Sequence, residues 1–469
     1  MTDNSTPIND SANVKLSTRK IIDYSLCAGA YQLVMYWINT YMSLYYTDVI
    51  GVSVTTVASL LMAVQIFDAI NDPIIGTIAD RSNFKKGKYT PWVFYGAIGL
   101  SVFTFLLFSA SPAWDRGMKV IWMTVMYLFV TVCQTCFYMP YIALNGVMTS
   151  NSEIRNRISA FRTVFENIGG QGVGMIAIPM ILLFASATSG PEAARGYTIS
   201  LAICALLFIL VAFYTSKRTD EHVLHSAAAQ TTVPLKTQLS YFFRNRYALC
   251  LAFGFLMLGI MVYGRMSVLS YYFTYNRGDV SMMGLFSMIS LVSVLVGSGF
   301  FAIWIYRIFR DKAKALIFAC ALNFAVSCVM YLSSSTAVFW VCMFLSQTCI
   351  SVLGGTFYGM IGDVCDYGEY RFHIRSDGVV SAFLSMLMKG GGAVTPTIIL
   401  LVMDKQGYVP NSVQNEAVLN TINFGISMIG GIAALILVII FAFYKLNEEN
   451  LKLYREVVLK RALEEELHI

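Results

Sequence analysis

Twelve apolar stretches, each long enough to cross a lipid bilayer as a helix, limit what this chain can fold into. A membrane-spanning helix needs about 20 mostly apolar residues. The stretches lie at 24–49, 56–79, 92–110, 120–148, 158–184, 197–215, 247–275, 281–306, 314–333, 337–362, 378–403 and 420–444. Because 57% of the chain is hydrophobic and only 13% is charged, these runs exclude a soluble fold. We therefore predict an all-α protein with twelve transmembrane helices.

The basic residues predict which side of the membrane each loop faces. If successive loops alternate sides, one set of loops carries twenty-five Lys and Arg residues and the other set carries five. Because Lys and Arg accumulate on the cytoplasmic side, we predict a multi-pass protein of the bacterial inner membrane with both termini in the cytoplasm. The net charge of +6 is thus a topology signal, and we predict no nucleic-acid partner.

A long polar loop divides the twelve spans into two groups of six. The loop between the sixth and seventh spans is rich in Ser, Thr and Ala, which is typical of a flexible linker. Two six-helix bundles are the plan of major facilitator transporters. The predicted segments are an N-terminal segment at 1–23, bundles at 24–215 and 247–444, a linker at 216–246 and a tail at 445–469.

Two carboxylates in the second span are the strongest functional signal. Asp68 and Asp72 are four residues apart, so on a helix they share one face. A charge at mid-membrane costs at least ~3 kcal/mol, so each acid needs a partner, a cavity or a cation. With Asn71 and Thr135 as neutral oxygen donors, the set suits Na⁺, and either carboxylate alone could take up H⁺. We predict no other metal and no cofactor.

Further charged residues are distributed over the spans of both halves. They are Arg162, Glu166, Arg265, Lys389, Asp363 and Asp366. Arg162 and Glu166 are also four residues apart, and they could pair with each other. Arg265 could bind a substrate carboxylate or sulfonate through two parallel hydrogen bonds, or it could pair with a protein carboxylate. Taken together, this many charges within the spans favour a polar cavity over isolated salt bridges.

Two non-transport classes fit the sequence less well. A membrane enzyme needs a nucleophile with a base, or histidines that bind a metal, and the four histidines all lie in loops or in the tail. We therefore predict that the protein is not an enzyme. A receptor or scaffold would leave the charges of the spans without a purpose.

Several motifs resemble those of the glycoside–pentoside–hexuronide:cation symporters, the major facilitator group that contains melibiose permease. They are YYTDVIG at 45–51, DAINDPIIG at 68–76, the DR, GK and PW pairs within 80–92, DVCDYGE at 363–369 and KGG at 389–391. The resemblance covers spans one to five and ten to twelve. It implies a carrier that imports a sugar derivative together with Na⁺ or H⁺.

The resemblance also implies roles for individual residues. The cation site of the family falls on Asp68, Asn71, Asp72 and Thr135. Its sugar site falls on Tyr31, Gln32, Tyr138, Arg162 and Lys389, to which we add Arg265. A lysine–aspartate pair of the family falls on Tyr31 and Gln32, and an aspartate falls on Tyr138, so two sugar-binding carboxylates are absent, while the basic positions are kept as Arg162 and Lys389. We expect Asp80, Arg81, Asp363, Asp366 and Arg375 to form gating contacts on the cytoplasmic side.

The sequence therefore predicts secondary active transport, with alternating access and cation-coupled symport of a glycoside, pentoside or hexuronide. The missing acids and retained bases raise the hypothesis that the substrate is anionic, such as a hexuronide or a sulfonated sugar. Gln32 could equally donate to neutral hydroxyls. The alternative within transport is an exporter or uniporter of a related sugar acid or sulfonated sugar. The remaining partners that we expect are membrane lipids, around a monomeric protein.

Overall fold

The structure is a computed structural model. It describes residues 17–82, 84, 87–149, 152–219, 235–372, 377–446, 450, 453–454 and 456–457. Arg375, the side chains of Asp80 and Arg81, and most of the predicted tail and termini lie outside this description.

Helices make up nearly all of the described chain, as the apolar runs predict. A backbone inside a bilayer has no water to bind, so its N–H and C=O groups must pair within the helix. The helices are α1 Thr18–Tyr36, α2 Met42–Leu44, α3 Val54–Arg81, α4 Thr90–Leu107, α5 Arg116–Met148, α6 Ser152–Phe184, α7 Ala194–Arg218, α8 Leu235–Arg244, α9 Arg246–Tyr271, α10 Met282–Leu295, α11 Ala302–Phe309, α12 Lys312–Leu332, α13 Thr336–Phe372, α14 Asp377–Lys405 and α15 Glu416–Ala442.

Eleven of the described helices are long and apolar enough to cross a membrane, which supports the predicted all-α membrane fold. The count of twelve is approximate, because the first predicted span is not among these eleven. Two π-helical segments, Trp37–Tyr41 and Tyr45–Val49, break it after α1. The remaining predicted spans each correspond to a described helix or helix series, and α8 lies within the predicted linker.

The chain divides into two compact units. Unit 1 comprises Met1–Val52 and Ile66–Gln230, and unit 2 comprises Ser53–Gln65 and Thr231–Ile469. In sequence the division falls inside the predicted linker, and a short part of α3 is grouped with unit 2.

Unit 1 has a core of buried aromatic side chains. Tyr24 and Tyr141 stack with ring centroids 4.4 Å apart, and each hydroxyl donates to the backbone carbonyl of the other residue, at 2.7 and 2.8 Å. Tyr45 and Tyr46 of the YYTDVIG motif donate to the carbonyls of Phe108 and Leu107 at the end of α4. This motif therefore holds the end of the first span against α4.

Close helix crossings in each unit depend on glycine. In unit 1, a Cβ at Gly169 of α6 would overlap the carbonyl oxygen of Gly29 of α1. In unit 2, a Cβ at Gly259 of α9 would overlap the carbonyl oxygen of Met388, and one at Gly391 of α14 would overlap that of Leu256. The crossings join the first span to the fifth and the seventh to the eleventh. They are equivalent positions in two six-span repeats.

Candidate cation site and substrate-binding residues

The predicted cation-site residues meet inside unit 1. Asp68, Asn71 and Asp72 lie on one face of α3, and Thr135 approaches them from α5. The Thr135 hydroxyl oxygen lies 2.8 Å from an oxygen of Asp72 and 3.4 Å from an oxygen of Asp68. Asn71 donates from Nδ2 to the same hydroxyl at 3.0 Å. The sequence spacing therefore brings all four side chains into one cluster.

The cluster is buried and rich in oxygen. Asp68 and Asn71 are each 7% exposed and Thr135 is 2% exposed. Thr135 has one hydroxyl proton, so it can donate to only one of the two carboxylates at a time. Two carboxylates this close in a low-dielectric interior repel each other, and a bound cation or proton relieves that repulsion.

The donor set determines which cations suit the cluster. Carboxylate, hydroxyl and amide oxygens are hard ligands, which favour Na⁺ over a soft transition metal. Within the described part of the chain, no group of three or more His, Cys, Asp or Glu side chains is arranged to hold a metal ion. The four side chains are therefore a candidate site for a monovalent cation or a proton.

Thr135→Val tests the bridging hydroxyl, because valine matches threonine in shape but has no hydroxyl. We expect the affinity for the coupling cation to fall about tenfold, since a hydrogen bond to a charged group contributes about 1.5–3 kcal/mol. The cation concentration that gives half-maximal uptake in proteoliposomes measures this effect. Thr135→Ser is the control and should stay within about twofold of the parent protein. Equal affinities for the valine and parent proteins would contradict this role.

Two of the predicted sugar-site residues form an aromatic stack in unit 1. The ring of Tyr31 on α1 lies 5.2 Å from the rings of both Tyr138 and Phe137 on α5. Tyr31 is buried, while Tyr138 and Gln32 are partly exposed. An aromatic face of this kind can pack against the apolar face of a sugar ring.

Arg162 and Glu166, one turn apart on α6, are paired as their spacing predicts. The Arg162 Nε atom lies 3.6 Å from the carboxylate of Glu166. Both side chains are largely buried, with 19% and 15% exposure. Arg162 therefore contributes less uncompensated positive charge to unit 1 than the sequence alone indicates.

The two bases of unit 2 lie in different surroundings. Arg265 on α9 is 4% exposed and binds neutral side chains of α13. Lys389 on α14 is partly exposed and has an interaction partner. It directly precedes Gly390, where a Cβ would have open space.

Among the predicted gating residues, Asp363 has a defined partner. Its carboxylate lies 2.5 Å from Lys312 Nζ, which joins the end of α13 to the start of α12 within unit 2. Asp366 is partly exposed and also has an interaction partner. The gating role itself stays a prediction.

The polar residues that contact Arg265 were not among the predicted site residues. Gln347 and Ser346 hold Arg265, and Asn323 in turn holds Ser346. A search for charge alone passes over such residues. Asn323 and Gln347 could have been found as isolated amides within otherwise apolar spans. A buried amide, like a buried charge, needs hydrogen-bond partners.

The sequence profile of a known family matches most of this chain. The family is described as "MFS/sugar transport protein", and the match covers residues 24–448. The chain belongs to this family. Curated relatives confirm the resemblance to the glycoside and hexuronide:cation symporters of the major facilitator superfamily, and each of the following three is matched over most of both chains.

The uncharacterized symporter YnaJ of Bacillus subtilis (strain 168) is 29% identical, with 94% of this chain and 95% of the relative covered. The isoprimeverose transporter of Lactiplantibacillus pentosus is 26% identical, with 95% of this chain and 92% of the relative covered. The glucuronide carrier protein homolog of Escherichia coli (strain K12) is 26% identical, with 94% of this chain and 95% of the relative covered.

Solved structures confirm the fold of this MFS/sugar transport family member. A bacterial homolog of the human lysosomal transporter Spinster superposes with a TM-score of 0.66 at 14% identity, covering 91% of this chain and 96% of its own. At such low identity the likeness concerns the fold alone. The predicted major facilitator fold is thus confirmed.

Proposed function

We propose that this protein is a secondary active transporter that couples the entry of a sugar derivative to that of Na⁺ or H⁺. The observation that carries the proposal is the buried cluster in which one hydroxyl, that of Thr135, lies within hydrogen-bonding distance of two carboxylates. A carrier without a coupling ion has no need for two acids at that depth. Family membership and the names of the relatives support sugar transport.

The coupling mechanism follows from electrostatics. Without a cation, the negative charges of Asp68 and Asp72 repel each other in the interior of unit 1. Binding of the cation removes this repulsion and favours the state that accepts the sugar. Because coupling is reciprocal, the bound sugar raises the affinity for the cation by the same factor. Both then leave together by alternating access.

The proposed substrate is a glycoside, pentoside or hexuronide. In unit 1, Tyr31 and Tyr138 supply an aromatic face, and Gln32 and Arg162 supply polar groups. In unit 2, Lys389 supplies a polar group, whereas Arg265 is buried among neutral side chains of α13, too deeply to meet a sugar ring. The relatives include carriers named for isoprimeverose and for a glucuronide. The pairing of Arg162 with Glu166 weakens the case for an obligatory anionic substrate. A glucuronide and its neutral glucoside are therefore the most informative pair of test substrates.

The proposed setting is the bacterial inner membrane, with both termini in the cytoplasm and a monomeric carrier. The excess of Lys and Arg on one set of loops supports this orientation.

Uptake into proteoliposomes tests the function. A panel of radiolabelled glycosides, pentosides and hexuronides is offered under an imposed Na⁺ gradient, an imposed H⁺ gradient or neither. We expect at least one sugar to accumulate above its external concentration only when a cation gradient is present. Equal rates with and without gradients would indicate a uniporter, and the absence of uptake of any sugar would contradict the proposed substrate class.

A further inference from the structure

Arg265 places a positive charge inside unit 2 that no carboxylate of the described chain neutralises. Its Nη1 atom donates to Gln347 Oε1 at 3.0 Å and faces the sulfur of Met343 at 3.6 Å. Its Nη2 atom donates to Ser346 Oγ at 2.9 Å. Over the described ranges, no Asp or Glu lies within ion-pair distance of it. A guanidinium buried to 4% exposure usually has an anionic partner.

The surroundings of Arg265 hold unused hydrogen-bond donors. Ser346 gives its proton to Asn323 Oδ1 at 2.7 Å. The amide Nδ2 of Asn323 and the hydroxyl of Ser327, one turn further along α12, are buried and have no hydrogen-bond partner among the residues that the structure describes. Both residues are 0% exposed. A cluster with a positive charge and spare donors is matched to an anion rather than to a cation.

Two glycines of α15 border this cluster. The point where a Cβ of Gly430 would stand is 3.3 Å from Arg265 Nη2, and no other atom of a neighbouring element lies within 4 Å of that point. Next to it, a Cβ at Gly431 would stand 2.6 Å from the Cβ of Ser327 and 3.0 Å from its hydroxyl, so only glycine fits there. The two glycines therefore let α15 approach the Arg265 guanidinium and the Ser327 hydroxyl without placing a side chain between them.

We propose that Arg265, Asn323 and Ser327 form a binding site for a compact monovalent anion within unit 2. The burial of all three residues excludes a whole sugar ring, so the ligand is a halide or a single carboxylate group. The proposal goes beyond sugar transport and does not depend on it. The site would hold its charge-neutralising anion whether or not a sugar is bound.

Thermal unfolding of the purified full-length protein in detergent tests this site without sugar. Chloride or bromide replaces gluconate at constant ionic strength. We expect the midpoint temperature of unfolding to be several degrees higher in halide than in gluconate, because a ligand that binds only the folded state stabilises that state. The rise should vanish in Arg265→Met and persist in Arg277→Met, a matched change at an arginine that follows the same helix. Equilibrium dialysis with radiolabelled chloride should give one ion per chain.

A milder variant covers the case in which Arg265→Met does not fold. Ser327→Ala removes one donor only, and we expect it to weaken halide binding about fivefold without preventing folding. A midpoint that rises with a glucuronide but not with a halide would overturn the proposal, because it would make Arg265 a substrate-binding residue. No response of the parent protein to halide or glucuronide, or an equal response in Arg265→Met, would overturn the proposal.

Discussion

The double variant Asp68→Asn/Asp72→Asn should lose uphill accumulation of sugar completely, so that the internal concentration only equals the external one. Without the two negative charges, the site no longer attracts a cation. Loss of a charged partner in a buried cluster costs about 3–5 kcal/mol, which lowers cation affinity by a factor of about a hundred to several thousand. Accumulation under an imposed cation gradient measures the effect. Downhill exchange of sugar should continue.

The control for this variant is Asp115→Asn. Asp115 is an exposed residue whose side chain accepts a hydrogen bond from the backbone N–H of Met118 at the start of α5. Asparagine caps a helix about as well as aspartate, so this variant should accumulate sugar like the parent protein. Undiminished accumulation by the double variant would contradict the proposed coupling.

Stability separates a coupling role from a packing role for the same acids. If Asp68 and Asp72 served to hold α3 against α5, their replacement would lower the unfolding temperature. If they are kept for the cation, the neutral pair should unfold at the same temperature as the cation-free parent protein or at a higher one, because their mutual repulsion is gone. Thermal unfolding without Na⁺ distinguishes these results.

The sequence was sufficient to predict the helices and the cation cluster. Apolar runs report helices directly because the bilayer forces the backbone to pair with itself. The cluster was predictable because Asp68, Asn71 and Asp72 lie within one helical turn, where spacing alone decides which side chains share a face. Thr135 was proposed as a further oxygen donor, and the family resemblance assigned it to the same site, but spacing could not place it because it is far from Asp68 and Asp72 in sequence.

Features that depend on contacts between distant residues were not predictable from spacing. Arg265 meets neutral groups from α13, and Asp363 meets Lys312, at the start of another helix. The π-helical segments after α1 also left no pattern that the search for apolar runs could detect. Charges and the lengths of apolar runs can be read from the sequence. These features depend instead on amides, hydroxyls and the local winding of the backbone.

Gly169→Val should prevent unit 1 from folding into its native packing. The new side chain would overlap the backbone of α1 at Gly29, and a backbone contact cannot be relieved by rotating a side chain. Overpacking of this kind costs about 3 kcal/mol or more, a large part of the total stability of most proteins. Gly172→Val is the control on the same helix, because a Cβ there has nothing within 4 Å.

The equivalent crossing in unit 2 offers a second pair of variants, at adjacent positions of the KGG motif. Gly391→Val would overlap the carbonyl oxygen of Leu256, whereas Gly390→Val has open space. Both changes alter the intrinsic helix propensity equally, so the difference between them reports the crossing alone. We expect monodisperse elution on size-exclusion chromatography for the 172 and 390 variants, and aggregation for the 169 and 391 variants. Similar elution of all four would show that the close approach of these helices does not limit the stability of either unit.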